Sequence, residues 1–238
     1  MTAKRPSGLF VAGTDTDVGK TFVATRIIAS LRRQRLRLGA YKPAASGCRS
    51  VSGEMVSDDA LSLWEATGRQ GTLDWVCPQR FLAPLAPSVA ARLEGREVDE
   101  TLLRNGVDVW SGECDVLIVE GAGGLLSPLH ESTFNVDLAR DLGYPLVIVA
   151  HDRLGAINQT MQSFLVAEKI YGLVVAAVVL NQAQPTPHPQ TDDPYGNASA
   201  LRSYCSTPVV CLSWNGDEFE PEMPWHMLAR QPLITNQS

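Results

Sequence analysis

Short apolar runs alternate with amphipathic segments along the chain. Residues 9–12 (LFVA) are an uninterrupted apolar run and read as a buried strand. In residues 20–35, Val23, Ile27 and Leu31 fall on one stripe, and Arg32, Arg33 and Arg35 gather towards the end, which predicts a helix. Residues 36–41 read as a second strand, stopped by Pro43. Ser57 is a good N-cap for a helix through Leu61 and Trp64 to Thr67, ended by Gly68. Pro84 and Pro87 break the middle of the chain, and residues 88–93 and 100–110 predict two further helices. Then come a strand at 115–120 (DVLIVE), a helix at 134–142 ending at Gly143, and a strand at 145–150. A helix at 156–171, closed by Gly172, and strands at 173–180 and 208–212 complete the pattern. The strands do not alternate apolar with polar, so both of their faces should be buried, as in a parallel sheet. Regular β and α alternation predicts an α/β fold: one doubly wound, mostly parallel sheet with helices on both faces.

Composition narrows the classes. Of 238 residues, 45% are hydrophobic and 19% charged, which excludes disorder for the bulk of the chain. Residues 1–238 are expected to form a single domain, with an irregular Pro-rich loop at 183–197 and a poorly regular tail at 213–238. The net charge of −6 argues against nucleic-acid and membrane-surface partners. The longest pure apolar run, 173–180, is too short to span a bilayer, and the 9–12 run is too short for a signal peptide. Five scattered cysteines with no C-x-x-C pair predict free thiols in a reducing cytoplasm. With four dispersed histidines, a metal held by protein side chains alone is not expected.

Candidate chemistry concentrates at the carboxyl ends of the strands. GTDTDVGKT, 13–21, follows a strand and opens a helix, the context of a phosphate loop. Backbone N–H groups of Asp17, Val18 and Gly19 and the helix N-terminus would cradle phosphate oxygens, with Lys20 on the terminal phosphates and the Thr21 hydroxyl on Mg²⁺. Five residues, not the usual four, separate Gly13 from Gly19. Mg²⁺ bound to phosphates needs one or two carboxylates. Glu120 ends an apolar strand and precedes Gly121, Ala122, Gly123 and Gly124, which leave room for a nucleotide. Asp58 and Asp59 open the helix after Ser57, although acids there also serve the helix dipole. Pro43 forces Lys42 to be extended, holding a second cation near the phosphate loop, with Ser46 and Gly47 just beyond.

Together the segments GTDTDVGKT (13–21), YKPAASG (41–47), SDDALSL (57–63), VEGAGG (119–124), LGAIN (154–158) and Asn181 resemble the dethiobiotin synthetase family. The resemblance covers about residues 8–182, and the longer phosphate loop is a feature of that family. It implies an ATP- and Mg²⁺-dependent cyclo-ligase that closes a ureido ring on 7,8-diaminononanoate with CO₂. On that resemblance Thr21, Asp59 and Glu120 would hold Mg²⁺, and Lys20 and Lys42 would stabilise the γ-phosphoryl group and carbamate. Thr16 and Ser46 would contact the diamine, Asn181 would read adenine, and residues 121–123 would border the nucleotide. The helix end formed by Ala156, Ile157 and Asn158 would receive the substrate carboxylate across a homodimer. Asp17 stands where relatives carry glutamate, and 208–214 reads PVVCLSW where the family often has G-x-I-P.

Two other classes compete. Partner-binding ATPase switches begin this loop K-G-G, whereas here it begins Gly13, Thr14, Asp15; the tail 234–238 also offers no amphipathic membrane helix. Glutamine-dependent amide ligases of the same superfamily carry a further domain for which this chain has no length. A GTPase would need N-K-x-D, which is absent.

Overall fold

The computed structural model describes residues 5–185, 193 and 196–230. The expected tail at 234–238 and most of the Pro-rich loop lie outside the described residues. The central sheet has seven strands: β1 (Ser7–Gly13), β2 (Leu38–Tyr41), β3 (Val116–Gly124), β4 (Leu146–His151), β5 (Val175–Asn181), β6 (Val209–Leu212) and β7 (Phe219–Glu220). Their spatial order is β7-β6-β5-β4-β1-β3-β2. All pairings are parallel except β6 with β7. Apart from the two ends of the sheet, the strands are buried along their length, as their unbroken apolar runs require.

The helices that matter for the site are α1 (Lys20–Arg32), α2 (Asp58–Ala66), α3 (Pro87–Leu93), α4 (Glu100–Asn105), α5 (Asn135–Leu142), α6 (Ala156–Leu165) and α7 (Asn197–Tyr204). Helix α1 buries Val23, Ile27 and Leu31, the predicted stripe, together with Ala24 and Ile28. It stops three residues early because Arg35 turns left-handed, at φ 58°. Ser57 caps α2 as expected, its hydroxyl accepting from the Ala60 N–H at 3.2 Å.

Three elements depart from the sequence pattern. The helix expected over 100–110 splits into α4 and a 3₁₀ segment, Gly106–Trp110. Gly106 lies against the Tyr41 ring, and the Tyr41 hydroxyl donates to the carbonyls of Leu102 and Leu103 at 2.8 and 3.3 Å, where the α-turns end. The helix expected over 156–171 is α-helical only to Leu165 and continues as a π-turn, Val166–Ile170. Helix α7 is not foreshadowed by the residue pattern. Its first N–H groups are satisfied from outside the helix: Asp193 accepts from Ala198 and Ser199 at 3.0 and 2.8 Å. The five cysteines are buried thiols with no disulfide among the described residues. No helix among those residues is long and apolar enough to cross a membrane.

Candidate phosphate and metal site

Strand β1 delivers the chain into the loop that precedes α1. Gly19 is the N-cap of α1 and is left-handed, at φ 87°. A Cβ there would lie 2.1 Å from the Asn181 amide nitrogen, so only glycine lets the loop pass the end of β5. Asn181 in turn donates to the Val18 carbonyl at 3.0 Å, tying the loop to the sheet. Asp17 also has positive φ, 57°. The Lys20 ammonium folds back onto the Asp15 carbonyl at 3.2 Å. Burial depresses its pKa, and Lys42 adds to this, while Glu120 and Asp59 oppose it.

Lys42 anchors the second half of the site. Its backbone N–H donates to the Val76 carbonyl at 2.7 Å, and the residue is 3% exposed. The ammonium lies 2.5 Å from Glu120 Oε1 and 2.9 Å from Asp59 Oδ2. Burial would lower the Lys42 pKa, but the two carboxylates outweigh it and the net direction is upward. Asp59 is the mirror case: burial raises its pKa, Lys42 and the Thr21 hydroxyl lower it, and the net direction is downward. Lys42 is therefore a fixed cation rather than the solvated lysine that strand ends usually carry.

The same cluster offers a hard-cation donor set. The Thr21 hydroxyl donates to Glu120 Oε1 at 2.9 Å. Glu120 is fully buried, and its Oε2 has no hydrogen-bond partner. A buried carboxylate oxygen left bare costs free energy unless something positive meets it. Two carboxylates and a hydroxyl, all oxygen, fit Mg²⁺ that also binds phosphate. No group of three His, Cys, Asp or Glu residues suited to a metal occurs among the described residues, so the phosphates themselves would have to complete the shell.

A cleft of about 650 Å³ joins these parts. It is lined by Thr16, Asp17, Gly19, Lys20 and Thr21 from the loop, by Lys42 and Ser46, by Asp59, and by Glu120, Ala122 and Gly123. Val18, Gly121 and Asn181 are buried and do not line it. Asn181 Oδ1 is a buried acceptor with no partner. Ala156, Ile157 and Asn158 also lie off this cleft, at the N-terminus of α6 beside Leu154, which is 96% exposed. Two parts of the wall escaped sequence reasoning: residues 84–87 ahead of α3, and Ser127. The prolines at 84 and 87 were visible only as breakers. Ser127 follows the glycine run by three residues, a spacing that could have signalled it: its hydroxyl accepts from the Gly124 N–H at 2.8 Å.

Asp58 and Asp59 now separate. Asp58 is exposed and pairs with Arg49 at 2.8 Å, whereas Asp59 lines the cleft. Asp59→Asn and Glu120→Gln are each expected to raise the Mg²⁺ concentration giving half-maximal ATP turnover, and Asp58→Asn to leave it unchanged. A magnesium titration of the three variants checks this; sensitivity at Asp58 alone would reverse the assignment.

Residues 7–216 match the family model described as an AAA domain. The chain is 41% identical over 212 residues to the ATP-dependent dethiobiotin synthetase BioD of Rhodopirellula baltica, covering 84% of this chain and 81% of that protein. It is 41% identical over 210 residues to the protein of the same name from Anaeromyxobacter dehalogenans, covering 88% and 91%. Among solved structures it resembles the signal recognition particle receptor FtsY from Elizabethkingia anophelis, with TM-score 0.58 and 14% identity. That match covers 95% of this chain but 65% of the FtsY chain, and at such identity it speaks for the phosphate-loop α/β fold alone.

Proposed function

The chain belongs to the ATP-dependent dethiobiotin synthetases, and from that premise we propose that it closes the ureido ring of dethiobiotin on 7,8-diaminononanoate, using CO₂, ATP and Mg²⁺. The observation that carries the reading is the convergence of two lysines from separate segments, Lys20 and Lys42, on one cleft beside Glu120 and Asp59. In the proposed sequence one substrate amine adds CO₂ and loses a proton, giving a carbamate. A carbamate oxygen takes the γ-phosphoryl group, releasing ADP and leaving a carbamic–phosphoric anhydride. The second amine attacks the carbonyl carbon and loses a proton, and phosphate leaves.

The residues divide this work by chemistry. The loop N–H groups and Lys20 bind the phosphates. Lys42, held charged by its carboxylate neighbours, stabilises negative charge on the transferring phosphoryl group and on the carbamate. Thr21, Asp59 and Glu120 would hold Mg²⁺, whose contribution when bound is to neutralise phosphate charge. Thr16 and Ser46 hold the diamine end, and residues 84–87, which line the cleft, help to keep water from the anhydride it would otherwise hydrolyse. Asn181, by the free acceptor on its amide, suits the amino group of adenine. Purified protein mixed with the diamine, bicarbonate, ATP and Mg²⁺ should yield a product of dethiobiotin mass. ATP turnover indifferent to the diamine and stimulated by a protein partner would instead favour a nucleotide switch.

The exposed N-terminus of α6 supports a composite site in a homodimer. Gly155, at φ 94°, opens the helix with no side-chain cap; the Ala156 N–H already donates to the Arg153 carbonyl at 3.0 Å, so those of Ile157 and Asn158 are the ones left for a carboxylate. Asn158→Glu, at the exposed residue of this helix end, should block the diamine and spare ATP binding. Mixing Asn158→Glu with Lys42→Met should restore part of the activity once subunits exchange, because some heterodimers keep one intact site. No recovery despite demonstrated exchange would mean that each site is built within one chain.

A further inference from the structure

Strand β3 does not keep step with β1. Val11 pairs with Glu120, and the next pairing is Gly13 with Gly124. Gly121, Ala122 and Gly123 therefore stand opposite the single residue Ala12. A bulge of this kind deprives backbone groups of their ladder partners. The side chain of Asn135, the first residue of α5 and 1% exposed, takes their place. Its amide nitrogen donates to the carbonyls of Ala122 and Gly124 at 2.7 and 2.8 Å, and to that of Ser127 at 3.3 Å. Its Oδ1 accepts from the Ala122 N–H at 3.1 Å. A carboxamide carries the same donor and acceptor as a peptide group, so Asn135 acts as a one-residue substitute for the missing strand. The fit is tight: a Cβ on Gly121 would come within 2.5 Å of Asn135 Oδ1.

The clasp sits behind the reaction cleft. Asn135 does not line the cleft, but Ala122 and Gly123, which it holds, do. Gly123 is left-handed, at φ 77°, and packs against Ser127 with Thr16 next: a Cβ there would lie 2.5 Å from the Ser127 hydroxyl and 3.6 Å from that of Thr16. We propose that Asn135 is a positioning residue for the synthetase reaction, fixing the bulge after Glu120 so that the Thr16 wall of the substrate pocket is formed before the diamine arrives. This rests on reading the Thr16 side of the cleft as the diamine side. Asparagine is required, because aspartate would turn a second acceptor oxygen towards three carbonyls.

The test compares Asn135→Asp and Asn135→Ala with the wild-type protein, well below their unfolding temperatures. Both variants should raise KM for the diamine roughly tenfold while KM for ATP stays within about twofold, the split expected when the hydrogen bonds that hold one wall are lost. Hydrogen exchange at the Ala122 amide should be slow in the wild type and fast in the variants. Gly121→Ala, which pushes the carboxamide out, should give the same split, and Gly121→Ala with Asn135→Ala should be no worse than Asn135→Ala alone. If Asn135→Ala does not fold, Asn135→Asp and Gly121→Ala carry the comparison. Unchanged constants, or losses in kcat and both KM values that simply follow thermal stability, would overturn the proposal. Failure of the wild type to form dethiobiotin would sink the functional reading instead, while the Ala122 exchange would still report on the clasp.

Discussion

Replacing Lys42 by methionine is expected to lower the rate of dethiobiotin formation by about 10²–10³, the scale for loss of a preorganised charge at a reacting group, while ATP affinity changes little. The ammonium sits in the wall of the cleft, not on the phosphate loop itself, so it should matter most as the γ-phosphoryl group moves. The same substitution leaves Glu120, fully buried, without its cationic partner, which costs about 3–5 kcal/mol for a buried pair broken on one side. The variant should therefore unfold at lower temperature in metal-free buffer and recover part of the difference when Mg²⁺ is added. Single-turnover assays with a calorimetric melt read both effects. Wild-type turnover with an unshifted melt would return Lys42 to the ordinary surface lysines.

Gly19→Ala should weaken nucleotide binding. The new Cβ would lie 2.1 Å from the Asn181 amide nitrogen, in a left-handed conformation that costs an L-residue about 1–2 kcal/mol. Relief requires Asn181 to leave the Val18 carbonyl, loosening the loop whose N–H groups are proposed to receive the phosphates. A loss of about 1.4 kcal/mol per tenfold makes a decrease in ATP affinity of roughly 10–100-fold reasonable for the combined strain and lost hydrogen bond. Gly53→Ala is the matched control: the same φ of 87°, but open space around it, in a hairpin far along the chain from the loop. Calorimetric titration with ATP should separate the two, and equal affinities would mean that the loop does not depend on this contact.

The strands and the phosphate loop were legible because their signals are local. An unbroken apolar run can only be a doubly buried strand here, and a glycine–lysine–threonine turn between strand and helix has few other uses. Glu120, Lys42 and Asp59 were each nameable from their strand or cap positions. What no local pattern could give was their mutual contact, since Lys42 and Glu120 are 78 residues apart and meet only because β2 and β3 are neighbours. The Asn135 clasp was hidden for the same reason: its partners lie in a bulge whose register depends on β1. Helix α7 was missed because the acceptor for its first N–H groups is Asp193, outside the helix.

The shape of the sheet's far margin has a consequence for solubility. Strand β6 reads VVCL and is buried, yet it would be the sheet's last strand if the chain ended with it. An apolar border strand with a free row of N–H and C=O groups is a template for association with other chains. The two residues of β7 run antiparallel along it, and Phe219 packs its ring against Trp225 at 4.9 Å between centroids. Pro221 follows at once and cannot donate a hydrogen bond outward. Residues beyond the catalytic machinery thus serve as a hem, keeping a strongly apolar sheet from growing by intermolecular strand pairing.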